Sequence, residues 1–436
     1  MNNTKELLKF IQESPTCFHA IKNICDILDQ ANYELLMENE HWNLVKGGKY
    51  YVVRNQSSVL AFTIPNNLDN LSFNISASHS DSPTFKIKPN FSLESVNFYQ
   101  ELNTEVYGGP IISTWMDRPL GVAGRVIVHA SDTISTKLVK IDKDLLIIPH
   151  IAPHVASENL NGAKYNPQID MLPLISTKDQ KCGLNDIIAS TINVKKEDII
   201  ASELFLYVRD RGHVLGLDDE FIAAPQLDDL ASAFGCLKGF VSASNEASIN
   251  IYACFDNEEV GSRTKQGAGS KFLADTISRI GDALKLSATD ISCALANSFI
   301  VSADNAHAVH PNQPGRTDAK NNALLNHGIV IKYNANQSYT TDAISSAYFE
   351  TICKNASVPY QRYTNRSDVR GGGTLGAIST SQVSINSVDI GLPQLAMHSV
   401  METAGSKDVS YLIKAMDEFY SSHSTLLVNG CYKIEK

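Results

Sequence analysis

Apolar residues recur at intervals of three and four over the first thirty positions: Leu7, Leu8, Phe10 and Ile11, then Ile21, Ile24, Cys25 and Leu28. That period belongs to helices that bury one face. Ser14-Pro15-Thr16 splits the pattern in two, because proline has no amide hydrogen to give to a helix. Short β-rich runs follow at 49–54, 59–64 and 71–77 and predict strands. From about Pro89 to Ala224 the texture changes: strand-like pieces at 125–129, 136–141 and 203–208 alternate with loops rich in Gly, Pro and Asn. One of these loops, 159–173, reads as an extended crossing segment. Beyond Pro225, helical patterns at 230–241, 270–284, 341–354 and 407–421 alternate with apolar strands at 249–255, 298–303, 360–364 and 387–390. Such alternation predicts an α/β fold, a mixed sheet flanked by helices, with a β-rich domain inserted into it. The divisions fall at 1–89 and 225–436 for the α/β domain and at 90–224 for the insertion. There is no internal repeat and no low-complexity tract.

Composition narrows the classes. Of 436 residues, 43% are hydrophobic and 19% charged, which excludes a chain disordered throughout. Lys plus Arg number 37 against 47 Asp plus Glu, a net charge of −10. An acidic chain without a basic run is a poor partner for nucleic acid or an anionic membrane surface. The start carries no long apolar core of a secretory signal, and the longest nearly uncharged apolar stretch, 291–303, is too short to span a bilayer. Eight scattered cysteines without a CxxC pair read as reduced thiols of a cytoplasmic protein.

Five segments carry the composition of a metal site, most of them just past an apolar run: His79-Ser80-Asp81, Asp228-Asp229, Glu258-Glu259, Asp304 and His398. Each has a plain reading. A lone histidine after a strand is usually structural, an acidic pair is usually a solvated turn, and Asp228-Asp229 taken alone is a helix N-cap. Together they mean more, because α/β sheets bind ligands at their strand ends. Two divalent metals need a carboxylate that reaches both, with imidazole and carboxylate ligands on either side. Oxygen and nitrogen donors without thiolates suit catalytic Zn²⁺, Co²⁺ or Mn²⁺. The His79-x-Asp81 spacing lets a carboxylate orient the imidazole from behind. In Glu258-Glu259, one acid can bind metal while its neighbour acts as general base.

These segments resemble those of the aspartyl aminopeptidases, two-metal exopeptidases of the zinc-peptidase α/β fold. The resemblance runs co-linearly through Ser14-Pro15-Thr16-Cys17-Phe18-His19-Ala20, His79-Ser80-Asp81-Ser82-Pro83, Gln226-Leu227-Asp228-Asp229-Leu230, Asp256-Asn257-Glu258-Glu259-Val260-Gly261-Ser262, the stretch from Asp304 to Asn312, and Gln394-Leu395-Ala396-Met397-His398-Ser399. It implies two zinc ions per subunit, bridged by Asp228. His79 and Asp304 would complete one site, and Glu259 and His398 the other. Glu258 would be the general base and Asp81 the orienting carboxylate. Asp229 resembles a position often occupied by Asn. His307, Lys332 and Tyr339 would form the substrate pocket, and His154 would reach into a neighbouring subunit of a dodecamer assembled through the insertion. The implied reaction is removal of an N-terminal Asp or Glu from peptides.

The glycine loop Arg370-Gly371-Gly372-Gly373-Thr374-Leu375-Gly376 departs from the family pattern and leaves open a neutral or basic preference. A metal-binding scaffold without activity is the reading from another class; the intact set of two histidines and four carboxylates speaks against it. Gly371, Gly373 and Gly376 also spell G-x-G-x-x-G with Asp389 downstream, but no strand pattern leads into the loop, so a nucleotide site is disfavoured.

Overall fold

The computed structural model describes residues 2–156, 162–180 and 182–436. Helices Asn2–Glu13 and Cys17–Gln30 part at Ser14-Pro15-Thr16, as the pattern requires. Their shared apolar stripe, including Phe10, Ile21 and Ile24, is buried against the helix Leu227–Ser242. Phe10 meets Phe234 there with ring centroids 5.6 Å apart.

The main sheet has nine strands. From edge to edge they are Glu34–Leu36, Lys49–Arg54, Ser58–Thr63, Ser248–Phe255, Ser72–His79, Phe299–Ala303, Asn386–Gly391, Ile329–Tyr333 and Tyr360–Thr364. The four from Ser248–Phe255 to Asn386–Gly391 run parallel. Every residue of Ser72–His79 and Ser248–Phe255 is buried, the mark of strands covered on both faces. Successive side chains feed two cores: Tyr252, Cys254 and Val301 pack under Leu227–Ser242, Ala343–Asn355 and Asp408–Ser421. Phe73, Ile75 and Ile251 pack on the opposite face with Phe272, Ile277 and Leu375. Because His79 pairs in register with Phe255, the segments that follow both strands, and Asp304 after Ala303, leave the sheet along one rim.

A second, antiparallel sheet holds six strands in the order Thr133–Lys140, Leu120–Ala130, Ile199–Val208, Thr84–Ser95, Tyr99–Tyr107 and Leu174–Thr177, over a core of its own that includes Phe85, Val122 and Leu204. The chain passes from the first sheet to the second between His79 and Thr84. The sheet memberships therefore differ from the sequence-drawn limits: Thr84–Ser95 straddles position 90. Residues 213–215 and 221–224, expected in the insertion, instead join Ala306–His307, Pro393–Leu395 and Glu402–Gly405 in a small third sheet. Periodicity alone does not say which sheet a strand joins. Of the crossing segment 159–173, residues 159–161 lie outside the described residues, and Pro167–Asp170 forms a helical turn. Among the described residues no helix is long and apolar enough to cross a membrane.

Candidate metal centre

The rim residues converge through three local devices. Gln226 takes a left-handed conformation (φ 56°), and Asp228 and Asp229 keep non-helical angles where the chain enters Leu227–Ser242, so both acids are held at the mouth of the helix. Asn257 (φ 63°) and Gly261 (φ 97°), both left-handed, bracket the turn Glu258–Val260; at Gly261 a side chain would be strained. Asp81 draws the pieces together. Its carboxylate accepts the backbone amides of Glu258 at 3.1 Å and Glu259 at 3.2 Å and the phenol of Tyr107 at 2.7 Å. His79 Nδ1 lies 3.0 Å from the Asp81 carbonyl and 3.4 Å from its carboxylate, which leaves Nε2 facing Asp228.

Asp228 is the hinge of the cluster. Its Oδ1 lies 3.5 Å from His79 Nε2 and its Oδ2 3.5 Å from His398 Nε2. His398 Nε2 is also 3.6 Å from Glu259 Oε1. Ligand atoms of three sets lie within 4.8 Å of one another: His79, Asp228, Asp229 and Asp304; His79, Glu258 and Glu259; and Asp228, Glu259 and His398. All five residues expected to bind metal thus meet at one place, with Asp81 and Glu258 beside them. Asp229, which the sequence reading left without a role, joins them fully buried, its Oδ2 accepting the His79 amide at 3.1 Å.

The donor set fits a cation on two counts. Asp228 Oδ1, Asp229 Oδ1 and Glu259 Oε1 are buried without a hydrogen-bond partner, a costly state for carboxylate oxygens that a metal would relieve. The titration pattern points the same way. Burial, then the nearby carboxylates, push Glu258 up to about 7 and Asp304 up to about 6, and drive Glu259 and Asp229 upward as well. Burial opposes a charged His398 ring, but Asp228 and Glu259 outweigh it and raise the ring to about 9. Too much negative charge shares too small a volume, and divalent cations would take the place of the protons.

The profile of the family described as Aminopeptidase I zinc metalloprotease (M18) matches residues 10–420. The chain belongs to this family. A probable M18 family aminopeptidase 2 of Clostridium novyi (strain NT) is 45% identical over 424 residues, 95% of this chain and 98% of the relative. Among solved structures, a cryo-EM structure of the Ape4 and Nbr1 complex matches with a TM-score of 0.93 at 32% identity, covering 96% of this chain and 85% of that one. The S. cerevisiae mApe1 dodecamer matches with a TM-score of 0.84 at 26% identity and 96% coverage of each chain. The protein is therefore an M18 aminopeptidase, a zinc metalloexopeptidase, and its fold is that of the expected zinc-peptidase class.

Around this M18 centre the other expected residues are spread unevenly. Lys332, which in isolation reads as a solvated surface lysine, is only 2% exposed. Its ammonium donates to the Asp304 carbonyl at 2.7 Å, sits 3.8 Å from Asp304 Oδ2, and lies 5.1 Å from the centre of the buried Tyr339 ring. His307 is exposed on the short strand Ala306–His307. His154 stands on an exposed turn and is not part of the cluster. The glycine loop is architectural at its end: Thr374 and Thr340 bind the buried Asp389 carboxylate, and a side chain at Gly376 would meet that carboxylate at 2.6 Å. Asp389 is thus committed to docking the helix Leu375–Gln382.

Two supporting residues escaped the sequence reading. Glu402, buried, accepts the amides of Asp228 at 2.9 Å and His398 at 2.6 Å, joining two segments that carry candidate ligands through one carboxylate. Tyr107 reaches Asp81 from the second sheet. Neither sits in a recognisable motif; only an acid four positions past His398 hints at Glu402.

Proposed function

We propose that this M18 enzyme removes Asp or Glu from the N-termini of peptides, using two zinc ions per subunit. His79 and Asp304 would hold one ion, Glu259 and His398 the other, and Asp228 both; the same donors accept Co²⁺ or Mn²⁺. The observation that carries this reading is the double approach of Asp228, one oxygen 3.5 Å from each histidine. Zinc bound there would polarise the scissile carbonyl and lower the pKa of water from about 15.7 to about 7. Glu258 handles the proton: its carboxylate takes one from the attacking water and returns it to the departing amine. A group pushed by burial up to about 7 both accepts and releases a proton near neutrality. Asp81 orients His79 through its backbone carbonyl at Nδ1 and holds the amides of Glu258 and Glu259 with its carboxylate, so one residue aligns ligand and base.

Lys332 would receive the acidic side chain. Its ammonium faces the carbonyls of Asp304 and Asn305 and the Asp304 carboxylate, which would turn to a metal ion and leave the lysine charge to the substrate. Burial strengthens its attraction for a carboxylate. Tyr339 and His307 would complete the pocket. The mApe1 dodecamer among its structural neighbours supports a homo-oligomer, a dodecamer, in which His154 serves an adjoining subunit's site. The second layer's exposed Val96, Phe98, Val155, Ile169 and Ile200 are consistent with buried contacts between subunits. Eight unpaired cysteines support a reducing, cytoplasmic setting, with no nucleic-acid or membrane partner.

Chelation and re-metallation on peptides beginning with Asp, Glu, Leu or Arg tests the reading. Activity should vanish with chelator, return with two equivalents of zinc, and favour acidic termini. Lys332→Ala should lower turnover of acidic substrates about 10- to 100-fold more than that of neutral ones. Equal losses on both would remove the acidic preference, and saturation at one equivalent would remove the second ion.

A further inference from the structure

The second layer is joined to the centre by more than its two chain crossings. Residues 107–111, which continue from the strand Tyr99–Tyr107, run across the back of the cluster. The Tyr107 phenol donates to Asp81 Oδ2 at 2.7 Å and accepts from Asn257 Nδ2 at 2.9 Å. Gly108 has φ +70°, and a Cβ built on it would lie 3.1 Å from Glu259 Cβ and 3.4 Å from Pro83 Cα, so bare backbone rests against a candidate ligand. The Gly109 carbonyl is 3.0 Å from His398 Nδ1, and the Ile111 amide donates to the His398 carbonyl at 2.8 Å. Just beyond, Thr114 accepts the Val400 amide at 3.2 Å.

We infer that residues 107–111 are a positioning strap through which the second layer sets the geometry of both halves of the metal centre. The inference rests on the reading that Asp81, Glu259 and His398 serve that centre. A carbonyl on Nδ1 accepts a hydrogen bond from that nitrogen and leaves Nε2, which faces Asp228 and Glu259, as the ring atom a metal ion would bind. A phenol on Asp81 Oδ2 fixes the carboxylate that carries the amides of Glu258 and Glu259, in the residue whose backbone carbonyl holds His79 Nδ1. Tyr107 is thus a positioning residue, acting through Asp81 without touching substrate.

The test compares Tyr107→Phe with Tyr165→Phe in the full-length protein. Tyr165 lies in the same layer, and its hydroxyl is 3.0 Å from His150, away from the strap. Zinc affinity is measured by chelator competition, the melting temperature without zinc, and kcat and KM on an acidic peptide. Tyr107→Phe should weaken zinc binding about 10- to 100-fold and lower kcat at constant KM, while its zinc-free melting temperature matches that of Tyr165→Phe. Gly108→Ala, which crowds Glu259, should shift zinc affinity in the same direction. Unchanged zinc affinity in both variants overturns the strap, whatever the rate. A zinc-free melting temperature that falls in step with affinity gives Tyr107 a merely structural role and overturns it too. A parent protein that takes up no zinc overturns the metal-centre reading and the strap together, whereas a zinc-binding parent with unaltered variants overturns the strap alone.

Discussion

The two large sheets handle burial in opposite ways. In the first, Ser72–His79 and Ser248–Phe255 are covered along their whole length, so polarity is confined to where the strands end. In the second, Thr133–Lys140 and much of Thr84–Ser95 remain open to solvent on one side. A strand enclosed on both faces is a rigid mount that delivers its last residue to a fixed point. A half-open strand tolerates change over most of its surface and contributes chemistry only where it touches its neighbour. The candidate ligands His79, Glu259 and Asp304 accordingly come from the ends of the first sheet, and Asp228 and His398 from loops bounded by the small third sheet. Further supporting contacts come from the edge of the second.

The largest expected effect lies at the rim itself. Glu258→Gln should retain its zinc and lose turnover by about 10²- to 10⁴-fold; an active variant would move the proton transfer elsewhere. A matched pair of truncations addresses the mounts. Phe73→Ala, in the enclosed sheet, should cost about 3–5 kcal/mol in denaturant unfolding, whereas Ile134→Ala, 69% exposed, should stay within about 0.5 kcal/mol. Similar costs at both positions would erase the distinction between the layers.

The smallest effect concerns pH. Asp304, Glu258 and Glu402 are pushed up to about 6, 7 and 8 by burial, and His398 is raised to about 9 by Asp228 and Glu259 against the effect of burial. A raised folded-state pKa contributes stability that is complete below the unfolded value and lost as pH climbs through the folded one. The melting temperature of zinc-free protein should therefore fall between pH 5 and pH 8. Asp228, shifted downward by its histidine partners despite burial, contributes a constant stabilisation in that window and no slope. Zinc should flatten the slope, and a slope unchanged by zinc would separate these groups from metal binding.

Legibility followed the same divide. The strands Lys49–Arg54 and Tyr360–Thr364 match their predicted limits, and the strand runs that end in His79, Phe255 and Ala303 are continuous enough to read directly. Ile329–Tyr333 was not foreseen as a strand, because five residues with a lysine near the end look like any surface segment until neighbours enclose them. The C-terminal hairpin His423–Val428 and Cys431–Glu435 passed unseen for the converse reason, its exposed positions diluting the apolar pattern. Within the centre, residue types and spacing pointed to the side chains that converge there. Glu402 and Tyr107 matter chiefly through Asp228 and Asp81, 174 and 26 positions away, and a local pattern carries no such information.

The path of the chain sets a limit on how this molecule can be cut or rebuilt. It departs for the second layer between His79 and Thr84, and after the last strand of the small sheet that precedes them, Phe221–Ala224, it arrives at Asp228. The exit and the re-entry are therefore stitched to the very atoms that would grip the ions, with almost no slack on either side. Deleting everything between would not yield a smaller working enzyme, since whatever splice closed the gap would have to be drawn tight across the centre. Outer loops such as the exposed turn at 131–132 can be exchanged or lengthened; the seam cannot.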